Sequence, residues 1–228
     1  MIGVLLIATG GSRYTKFVPD LVQSLKQFFP PHEVVLFTDS LEYESLGVRI
    51  LGQEPLGWPL ASLMRYKIFD AARYPVLEAY DHIFYMDIDM LVKAPIQESE
   101  ICGDGITAVL HPGYIGVSEK TYDRNPNCTA CLRGNREYYQ GCFQGGSREA
   151  FFKMCQILKG NIDRDQERGT PAVWFDESYL NWYLFHNPPA ITLPPVFAYP
   201  QNPGPYPSVL GQEPRIIHLA KEGQESWK

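Results

Sequence analysis

Two aspartates separated by one residue, Asp87 and Asp89, are the side chains in this sequence whose spacing points most directly to chemistry. They interrupt an apolar run, HIFYM before them and MLV after them, that is typical of a buried strand. Ionised carboxylates are costly to bury unless a cation compensates their charge. Because residues i and i+2 of a strand point to the same face, the pair is expected to share one divalent ion, Mg²⁺ or Mn²⁺, with coordination positions left for phosphate.

A second Asp-x-Asp pair, Asp163 and Asp165, provides an internal comparison. Its surroundings, NIDRDQERG, are polar throughout and indicate a solvated loop, where a carboxylate pair needs no metal. Since the tripeptide is expected about once by chance in a chain of this length, context has to separate the two pairs. The context assigns the metal to Asp87 and Asp89.

Another acidic pair, Asp176 and Glu177, interrupts the aromatic segment AVWFDESYLNWYLFH. This segment predicts a helix near residues 172–186, so the pair is expected to be partly buried where apolar packing would be simpler. Arg65 and Lys67 lie in the first turns of another predicted helix, where positive charge opposes the helix dipole. Either a functional contact or a solvated face explains these two cations.

Two further features have two interpretations each. His111 ends the apolar strand ITAVL, and a histidine at this place either contacts a ligand or has a structural role. The glycines Gly141, Gly145 and Gly146 indicate that the backbone lies close either to a neighbouring strand or to a ligand.

The composition limits the classes of partner. The 228 residues are 45% hydrophobic, which is enough for a substantial core, and residues 1–228 are interpreted as one domain. The net charge of −6 argues against nucleic acid or an anionic membrane surface, so phosphate has to be bound locally by a metal or by a few cations. Cys128 and Cys131 lack the second half of a zinc site, and the five cysteines are interpreted as reduced cytosolic thiols. The N-terminal apolar run is too short for a membrane span, so it predicts a strand.

Strands and helices alternate around these residues. Apolar runs predict strands at 2–8, 34–38, 48–51, 82–92, 106–110 and 215–219. Helices are predicted from Pro19 to Pro30, from Ser62 to Ala72, from Ser147, and near 172–186. Thr9 and Gly10 follow the first strand in a turn that lets backbone approach a ligand. Because ligands of open α/β sheets bind at the C-terminal ends of strands, Gly10, Asp39 and the Asp87/Asp89 pair are expected to line one edge.

Seven separated motifs, taken in order, resemble those of one enzyme family. They are IAT…Y near the N-terminus, VVLFTD, Trp-x6-Arg at 58–65, YMDIDM, LHPGYIG, YYQGCFQGG and AVWFDESYLNWYL. Together they resemble glycosyltransferase family 6, the retaining α-1,3-galactosyl- and N-acetylgalactosaminyltransferases that include the blood-group enzymes. The resemblance implies an α/β GT-A fold with a Rossmann-like mixed central sheet flanked by helices. It also implies a UDP-sugar donor, a galactose-containing glycan acceptor, Mn²⁺ with Mg²⁺ as the alternative, and retention of anomeric configuration.

The resemblance further implies roles for individual residues. Asp87 and Asp89 correspond to the metal-binding aspartates, and Glu177 corresponds to the candidate nucleophile. Donor contacts are implied for Ala8, Thr9, Tyr14, Arg65, Asp87, Gln140, Gly141, Cys142, Asp176 and Lys221. Acceptor contacts are implied for His111, Tyr114 and Trp174. Trp58 corresponds to a mobile loop beside the donor.

The chain departs from the family pattern at three positions. Phe175 stands where the animal enzymes have histidine, and Gln140 and Cys142 replace the variable donor-selecting residues. Cys142 is larger than the glycine that accompanies N-acetylhexosamine transfer and the alanine that accompanies hexose transfer, so a hexose donor, galactose or glucose, is predicted. The Golgi stem and membrane anchor are absent from the sequence, which predicts a cytoplasmic bacterial or viral member without stable membrane insertion.

Two other functions compete with this interpretation. DIDMLV resembles the nucleophile strand of haloacid-dehalogenase-like phosphatases, although that motif normally follows the first strand and is accompanied by a second Asp-rich metal motif. A sugar-nucleotide-binding protein without turnover is the other alternative, against which the presence of both acidic pairs argues.

Overall fold

A computed structural model of the chain describes residues 1–57, 59–204 and 206–220. Trp58 and Lys221, which the resemblance places near the donor, lie outside these ranges. The described residues form a mixed α/β fold with a large sheet and a small one. No helix within those ranges is both long and apolar enough to cross a membrane.

The strands and helices are as follows. The strands are β1 (Ile2–Ala8), β2 (His32–Thr38), β3 (Arg49–Gly52), β4 (His82–Met86), β5 (Met90–Val92), β6 (Ile106–Leu110), β7 (Tyr139–Ser147), β8 (Ile191–Leu193), β9 (Tyr199–Pro200) and β10 (Ile216–His218). The α-helices are α1 (Ser12–Thr15), α2 (Val18–Phe28), α3 (Leu60–Leu63), α4 (Arg65–Ile68), α5 (Glu98–Ile101), α6 (Arg148–Glu167) and α7 (Phe175–His186). Short 3₁₀ turns lie at Glu44–Leu46, Pro75–Ala79, Pro112–Tyr114 and Pro195–Ala198.

The large sheet has the strand order β3-β2-β1-β4-β7-β6-β8. Strand β7 runs antiparallel to β4 and β6, whereas the other neighbours are parallel. The small sheet has the order β5-β10-β9, and β10 is antiparallel to β5. The C-terminal ends of β1, β2 and β4 therefore meet the beginning of β7 at one edge. This mixed sheet with flanking helices confirms the predicted GT-A-like fold.

The core lies on both faces of the large sheet, as the alternation of β1 shows. Val4 and Leu6 pack in the cluster that includes α2, whereas Leu5 packs in the cluster that includes residues of α4, α6 and α7. Both faces are buried, which explains why β1 reads as a continuous apolar run rather than an alternating one. Such a strand can carry chemistry only at its ends, and that is where the candidate residues lie.

Two predicted elements are wrong in detail. The run 82–92 is not one strand, because β4 ends at Met86 and β5 begins at Met90 in the other sheet. Asp87 and Asp89 therefore lie in the turn between two sheets, and the turn, not the pleat of a strand, brings their side chains together. The helix predicted from Ser62 to Ala72 is replaced by the two short helices α3 and α4, the second of which ends at Ile68.

The interpretation of Asp163 and Asp165 as a solvated loop is also wrong. Both lie in helix α6, and Asp165 is 0% exposed. Its carboxylate accepts hydrogen bonds from the Thr129 amide at 2.8 Å, the Tyr179 hydroxyl at 2.9 Å and the Cys128 thiol at 3.2 Å. Asp165 thus anchors the segment around residue 129 to the helices, a role invisible to local polarity because its partners are distant in sequence.

The three glycines of β7 differ in role. A side chain at Gly145 would collide with the Ile83 carbonyl oxygen, and one at Gly146 would collide with that of Gly105. These two glycines therefore permit close pairing of strands. Gly141 faces the candidate site instead.

Candidate active site

Arg65 lies at the centre of the polar cluster at this edge of the sheet. It is 4% exposed, and its guanidinium lies 3.3 Å from Oδ1 of Asp87 and 3.3 Å from Oδ2 of Asp176. It also donates to the Gly141 carbonyl oxygen at 2.8 Å and stacks on the Tyr85 ring. One cation thus joins the end of β4, strand β7 and the start of α7. The solvated-face interpretation is therefore wrong for Arg65, whereas Lys67 pairs with the partly exposed Asp163 outside this cluster.

Burial governs the ionisation of the acidic partner of Arg65. It raises the pKa of the Asp176 carboxyl to about 7, although Arg65 acts in the opposite direction. Asp176 is therefore a carboxylate held in a poorly solvated place by one guanidinium. Perturbed groups of this kind are typical of functional sites.

Replacing Arg65 should show how far the buried carboxylates depend on its positive charge. Arg65→Met is expected to lower the free energy of unfolding by about 3–5 kcal/mol, because removing one partner of a buried ion pair leaves carboxylates uncompensated. Urea denaturation followed by circular dichroism measures the loss. Lys67→Met is the matched control, since Asp163 is 43% exposed and a surface pair contributes only about 0–1 kcal/mol. Equal losses in the two variants would contradict the central role of Arg65.

Glu177 lies beside the same glycine. Its carboxylate accepts a hydrogen bond from the Gly141 amide at 2.9 Å. A Cβ added to Gly141 would lie 3.1 Å from Oδ2 of Asp176 and 3.8 Å from Nη1 of Arg65, so glycine keeps this face clear. Burial raises the pKa of Glu177, and the hydrogen bond from Gly141 opposes the shift. The arrangement presents a partly desolvated carboxylate next to Asp176 and Arg65.

The start of α7 is strained where the acidic pair begins. Phe175 has a backbone φ angle of +47°. Within the described ranges, it is the one non-glycine residue with a positive φ. Such a conformation costs about 1–3 kcal/mol and persists where the surrounding structure enforces it. Here the amide of Trp174 donates to the Ser178 hydroxyl at 3.1 Å, across the strained residue. Phe175, which stands where the resemblance would place histidine, thus has a backbone conformation that an aromatic residue rarely adopts.

Asn181 positions Glu177, and the sequence analysis missed it. Its side chain accepts from the Tyr139 amide at 2.8 Å and donates to the Tyr139 carbonyl oxygen at 2.8 Å. It also donates to the Glu177 carbonyl oxygen one turn earlier in α7. This pair of bonds fixes α7 against β7 and thereby sets Glu177 over Gly141. The sequence feature that could have identified Asn181 is its position, since it is a polar residue one helical turn after the acidic pair.

The predicted metal pair gains a third residue in the structure. Ligand atoms of Asp87, Asp89 and His218 all lie within 4.8 Å of one another, and Asp89 is 2% exposed. The His218 Nε2 atom lies 3.3 Å from Oδ2 of Asp89. Burial alone would lower the pKa of His218, but Asp89 raises it well above its usual range. Two carboxylates and an imidazole are donors that fit a divalent ion such as Mn²⁺.

Asp87 joins the two parts of the site. Its carboxylate accepts from the Tyr85 hydroxyl at 2.5 Å, and its amide donates to the Cys142 carbonyl oxygen at 2.8 Å. Because the same carboxylate contacts Arg65, a metal bound at Asp87 would lie next to the Arg65–Asp176 pair. Asp87 in the turn after β4, Gly141 of β7 and Asp176 of α7, all predicted to contact the donor, therefore lie around Arg65.

Gln140 and Cys142, the residues that were predicted to select the donor, lie against His218. Gln140 and Cys142 alternate with Gly141 along β7, so they point to the opposite face from it. The Gln140 amide nitrogen lies 3.2 Å from Nδ1 of His218, and the buried Cys142 thiol lies against the same imidazole. Burial raises the pKa of Cys142, which His218 partly counteracts.

The residues that were predicted to contact the nucleotide lie at the end of β1 and just after it. Ala8 is its last residue and pairs with Thr38 of β2, and Thr9 follows it. Tyr14 lies on the short helix α1 after the glycine turn. The amide of Gly10 approaches both carboxylate oxygens of Asp39 at 3.4 Å, as expected from the shared edge.

Two of the three residues for which acceptor contacts were predicted, His111 and Tyr114, lie in one aromatic group. The rings of His111 and Tyr114 lie 4.8 Å apart, and Tyr114 contacts the buried Tyr138 at 4.6 Å. His111 accepts from the Gly113 amide at 3.0 Å, and burial lowers its pKa to about 4, so the ring is neutral at physiological pH. His111 thus has a structural contact. Trp174 is 40% exposed at the start of α7, where an indole is accessible to a sugar.

Comparison with known proteins supports the reading of these motifs. A family model for glycosyltransferase family 6 matches residues 46–225. The chain is 29% identical to an O-antigen biosynthesis glycosyltransferase, WbnI, of Escherichia coli, in an alignment that covers 100% of this chain and 97% of that protein. It is 28% identical to human globoside alpha-1,3-N-acetylgalactosaminyltransferase 1 over 89% of this chain, and 29% identical to rat histo-blood group ABO system transferase 2 over 63%. The chain spans 63% and 43% of the length of these two animal proteins.

Proposed function

Since this chain belongs to glycosyltransferase family 6, we propose that it transfers a hexose from a UDP-hexose to a hydroxyl of a glycan acceptor, with retention at the anomeric carbon and with Mn²⁺. The acceptor is proposed to contain galactose. One observation carries the proposal: Glu177 lies beside a second carboxylate, Asp176, that Arg65 joins to the candidate metal ligand Asp87. The side chains proposed to bind the diphosphate leaving group thereby lie next to those proposed to bind the sugar.

The proposed chemistry follows from the charges around Gly141. Departure of UDP leaves positive charge on the anomeric carbon, and the carboxylate of Glu177 stabilises it either by covalent attack or electrostatically. Asp176 accepts hydrogen bonds from sugar hydroxyls, and Arg65 favours the ionised form of its carboxyl group and orients it. Asp87 and Asp89 would hold a divalent ion, which would supply charge stabilisation to the leaving diphosphate. These side chains are fixed before the donor arrives, which is the condition for electrostatic catalysis.

The remaining donor and acceptor roles are proposed on the same basis. Ala8, Thr9 and Tyr14 are proposed to hold the uridine at the end of β1, which is the edge where ligands of α/β sheets bind. His111, Tyr114 and Trp174 are proposed to line the acceptor side. The neutral His111 ring and the exposed Trp174 indole offer the apolar surface and polar edge that sugars bind.

The proposal is tested by incubating the protein with UDP-galactose, UDP-glucose and their N-acetylated forms in the presence of Mn²⁺. UDP release is followed with and without simple galactosides. Acceptor-dependent UDP release with an α-linked product supports the transferase. Binding of UDP without turnover would identify the sugar-nucleotide-binding alternative. Phosphate release from monoesters in place of UDP release would support the phosphatase and overturn the proposal.

Donor choice is expected to depend on Cys142. Its thiol adds volume at the position proposed to face the 2-substituent of the sugar, and overpacking costs about 1–3 kcal/mol, which is roughly a tenfold to hundredfold preference. The wild-type protein should therefore prefer UDP-galactose or UDP-glucose to their N-acetylated forms. Cys142→Gly should reduce this preference, measured as the ratio of kcat/KM values.

Cys102→Ala is the matched control for donor choice, because this half-buried thiol lies after α5, away from the site. It should leave the donor ratio unchanged. A wild-type preference for an N-acetylated donor would show that Cys142 does not shape the pocket as proposed.

A further inference from the structure

The C-terminal strand places a histidine on the predicted metal pair. In the small sheet, β10 pairs antiparallel with β5 in a register that sets His218 opposite Met90, the residue directly after Asp89. The Leu219 amide donates to the Asp89 carbonyl oxygen at 2.8 Å and fixes this register beyond the strand. The imidazole of His218 is thus held against Asp89 by backbone pairing, independently of any ion.

The side chains around His218 suit an imidazole ligand. A histidine that binds a metal through one ring nitrogen normally donates the hydrogen of the other to a protein acceptor. Nε2 of His218 faces Asp89, and Nδ1 lies 3.2 Å from the Gln140 side-chain amide. The Gln140 Oε1 atom is buried and has no hydrogen-bond partner among the described residues. Since amide oxygen and nitrogen exchange places on a half turn, Gln140 can present Oε1 to Nδ1–H.

We infer that His218 is a third protein ligand of the divalent ion, through Nε2, and that Gln140 is the acceptor that orients its ring. The inference rests on the proposed metal-dependent function and adds two residues of this chain to it. Gln140 then has two proposed roles. The family pattern places it beside the donor sugar, and the structure places it against Nδ1 of His218. An imidazole ligand also favours Mn²⁺ over Mg²⁺, because Mg²⁺ is bound through oxygen atoms and water.

The decisive measurement is nitrogen coupling to bound Mn²⁺. The full chain is loaded with Mn²⁺ and inorganic pyrophosphate, which contains no nitrogen, and is studied by electron spin-echo envelope modulation. A ¹⁴N modulation is expected in the wild-type protein and should change to the ¹⁵N pattern when the protein is labelled with ¹⁵N-histidine. Absence of nitrogen modulation in the bound wild-type protein would overturn the inference without requiring any variant to fold.

Two variants assign the nitrogen to a residue. His218→Ala should lose the modulation, whereas His186→Ala should keep it, because His186 is exposed on the last turn of α7 and contacts the Trp182 carbonyl oxygen. Modulation that persists in folded His218→Ala would assign the nitrogen to another group and overturn the inference.

The role of Gln140 is tested through Mn²⁺ affinity without nucleotide. Gln140→Leu removes the acceptor for Nδ1–H and is expected to weaken Mn²⁺ binding about 10- to 100-fold, the usual effect of losing such a partner. Gln140→Glu keeps an acceptor in place and should restore binding, a rescue that a purely steric role would not give. Equal affinities of Gln140→Leu and the wild-type protein would remove Gln140 from the metal site.

These readouts are separate from sugar transfer. Metal-dependent UDP release without nitrogen coupling would overturn the inference that His218 is a ligand and would still support the proposed function. Nitrogen coupling without UDP release from any donor would support the His218 ligand and overturn the proposed function.

Discussion

Removal of the divalent ion with EDTA is expected to abolish UDP release, and Asp89→Asn is expected to lower kcat by at least about a hundredfold. The ion is proposed to stabilise developing charge on the diphosphate by several kcal/mol, and each 1.36 kcal/mol corresponds to about a tenfold change in rate. Asparagine keeps the size of the side chain but removes the ionised oxygens that a hard cation prefers. Steady-state kinetics with Mn²⁺ added back after chelation measures both effects.

The second Asp-x-Asp pair supplies the control for this prediction. Asp163→Asn changes the same functional group at a residue that is partly exposed and paired with Lys67, so transfer should be unaffected. Circular dichroism of Asp89→Asn checks that a fall in kcat does not come from unfolding, since Asp89 also pairs with His218. Full activity in EDTA would contradict the metal assignment.

The elements that the sequence predicted well are those whose signal is local. Strand β1 carries an uninterrupted apolar run because both faces of the sheet are covered, and α6 begins where Ser147 caps it by accepting from the Ala150 amide. The acidic pair Asp176 and Glu177 was expected to be partly buried because charges stood among aromatic residues, and the structure confirms this. In each case the pattern within a few residues was enough.

The residues that sequence reasoning missed or misread depend on contacts between distant segments. His218 reaches Asp87 and Asp89 through the pairing of β10 with β5, and nothing within RIIHL specifies that register. Asn181 and Asp165 are buried because of partners on β7 and near residue 129. Arg65 had two interpretations, since its carboxylate partners lie in the turn after β4 and on α7. Polarity of a segment does not reveal which of its charges the fold encloses.

Asp87 and Asp89 lie close together as predicted, but for a different structural reason. The pleat of a strand was expected to align their side chains, but the chain leaves one sheet at Met86 and enters another at Met90. A turn between two sheets brings the carboxylates to the edge where β10 can add His218. The passage of the chain from the large sheet to the small one therefore explains why the prediction of one strand was wrong. It also explains why His218 lies next to the two aspartates.

Glu177→Gln is expected to lower kcat at least about a hundredfold while leaving the affinity for the donor nearly unchanged. Glutamine keeps the size of the side chain and can still accept the hydrogen bond from Gly141, but it lacks the charge that stabilises a positive anomeric centre. A loss confined to the transition state appears in kcat and kcat/KM together. Isothermal titration with the UDP-hexose and steady-state kinetics separate binding from turnover.

Glu149→Gln is the matched control, because Glu149, like Glu177, is an acidic residue in the first turn of a helix. It loses the same favourable interaction with the helix dipole, about 0.3–1 kcal/mol, without changing the site. Its kcat should therefore equal that of the wild-type protein. Unchanged kcat and a raised KM in Glu177→Gln would make Glu177 a binding residue.

Stability separates a catalytic loss from unfolding of the Glu177→Gln variant. Burial raises the pKa of Glu177 above its value in the unfolded chain, so the ionised side chain opposes folding at neutral pH. Removing that charge should raise Tm, or leave it unchanged, while kcat falls. A catalytic carboxylate is expected to be present even though its charge lowers the stability of the fold. Replacing a residue with a purely structural role would instead lower kcat and Tm together.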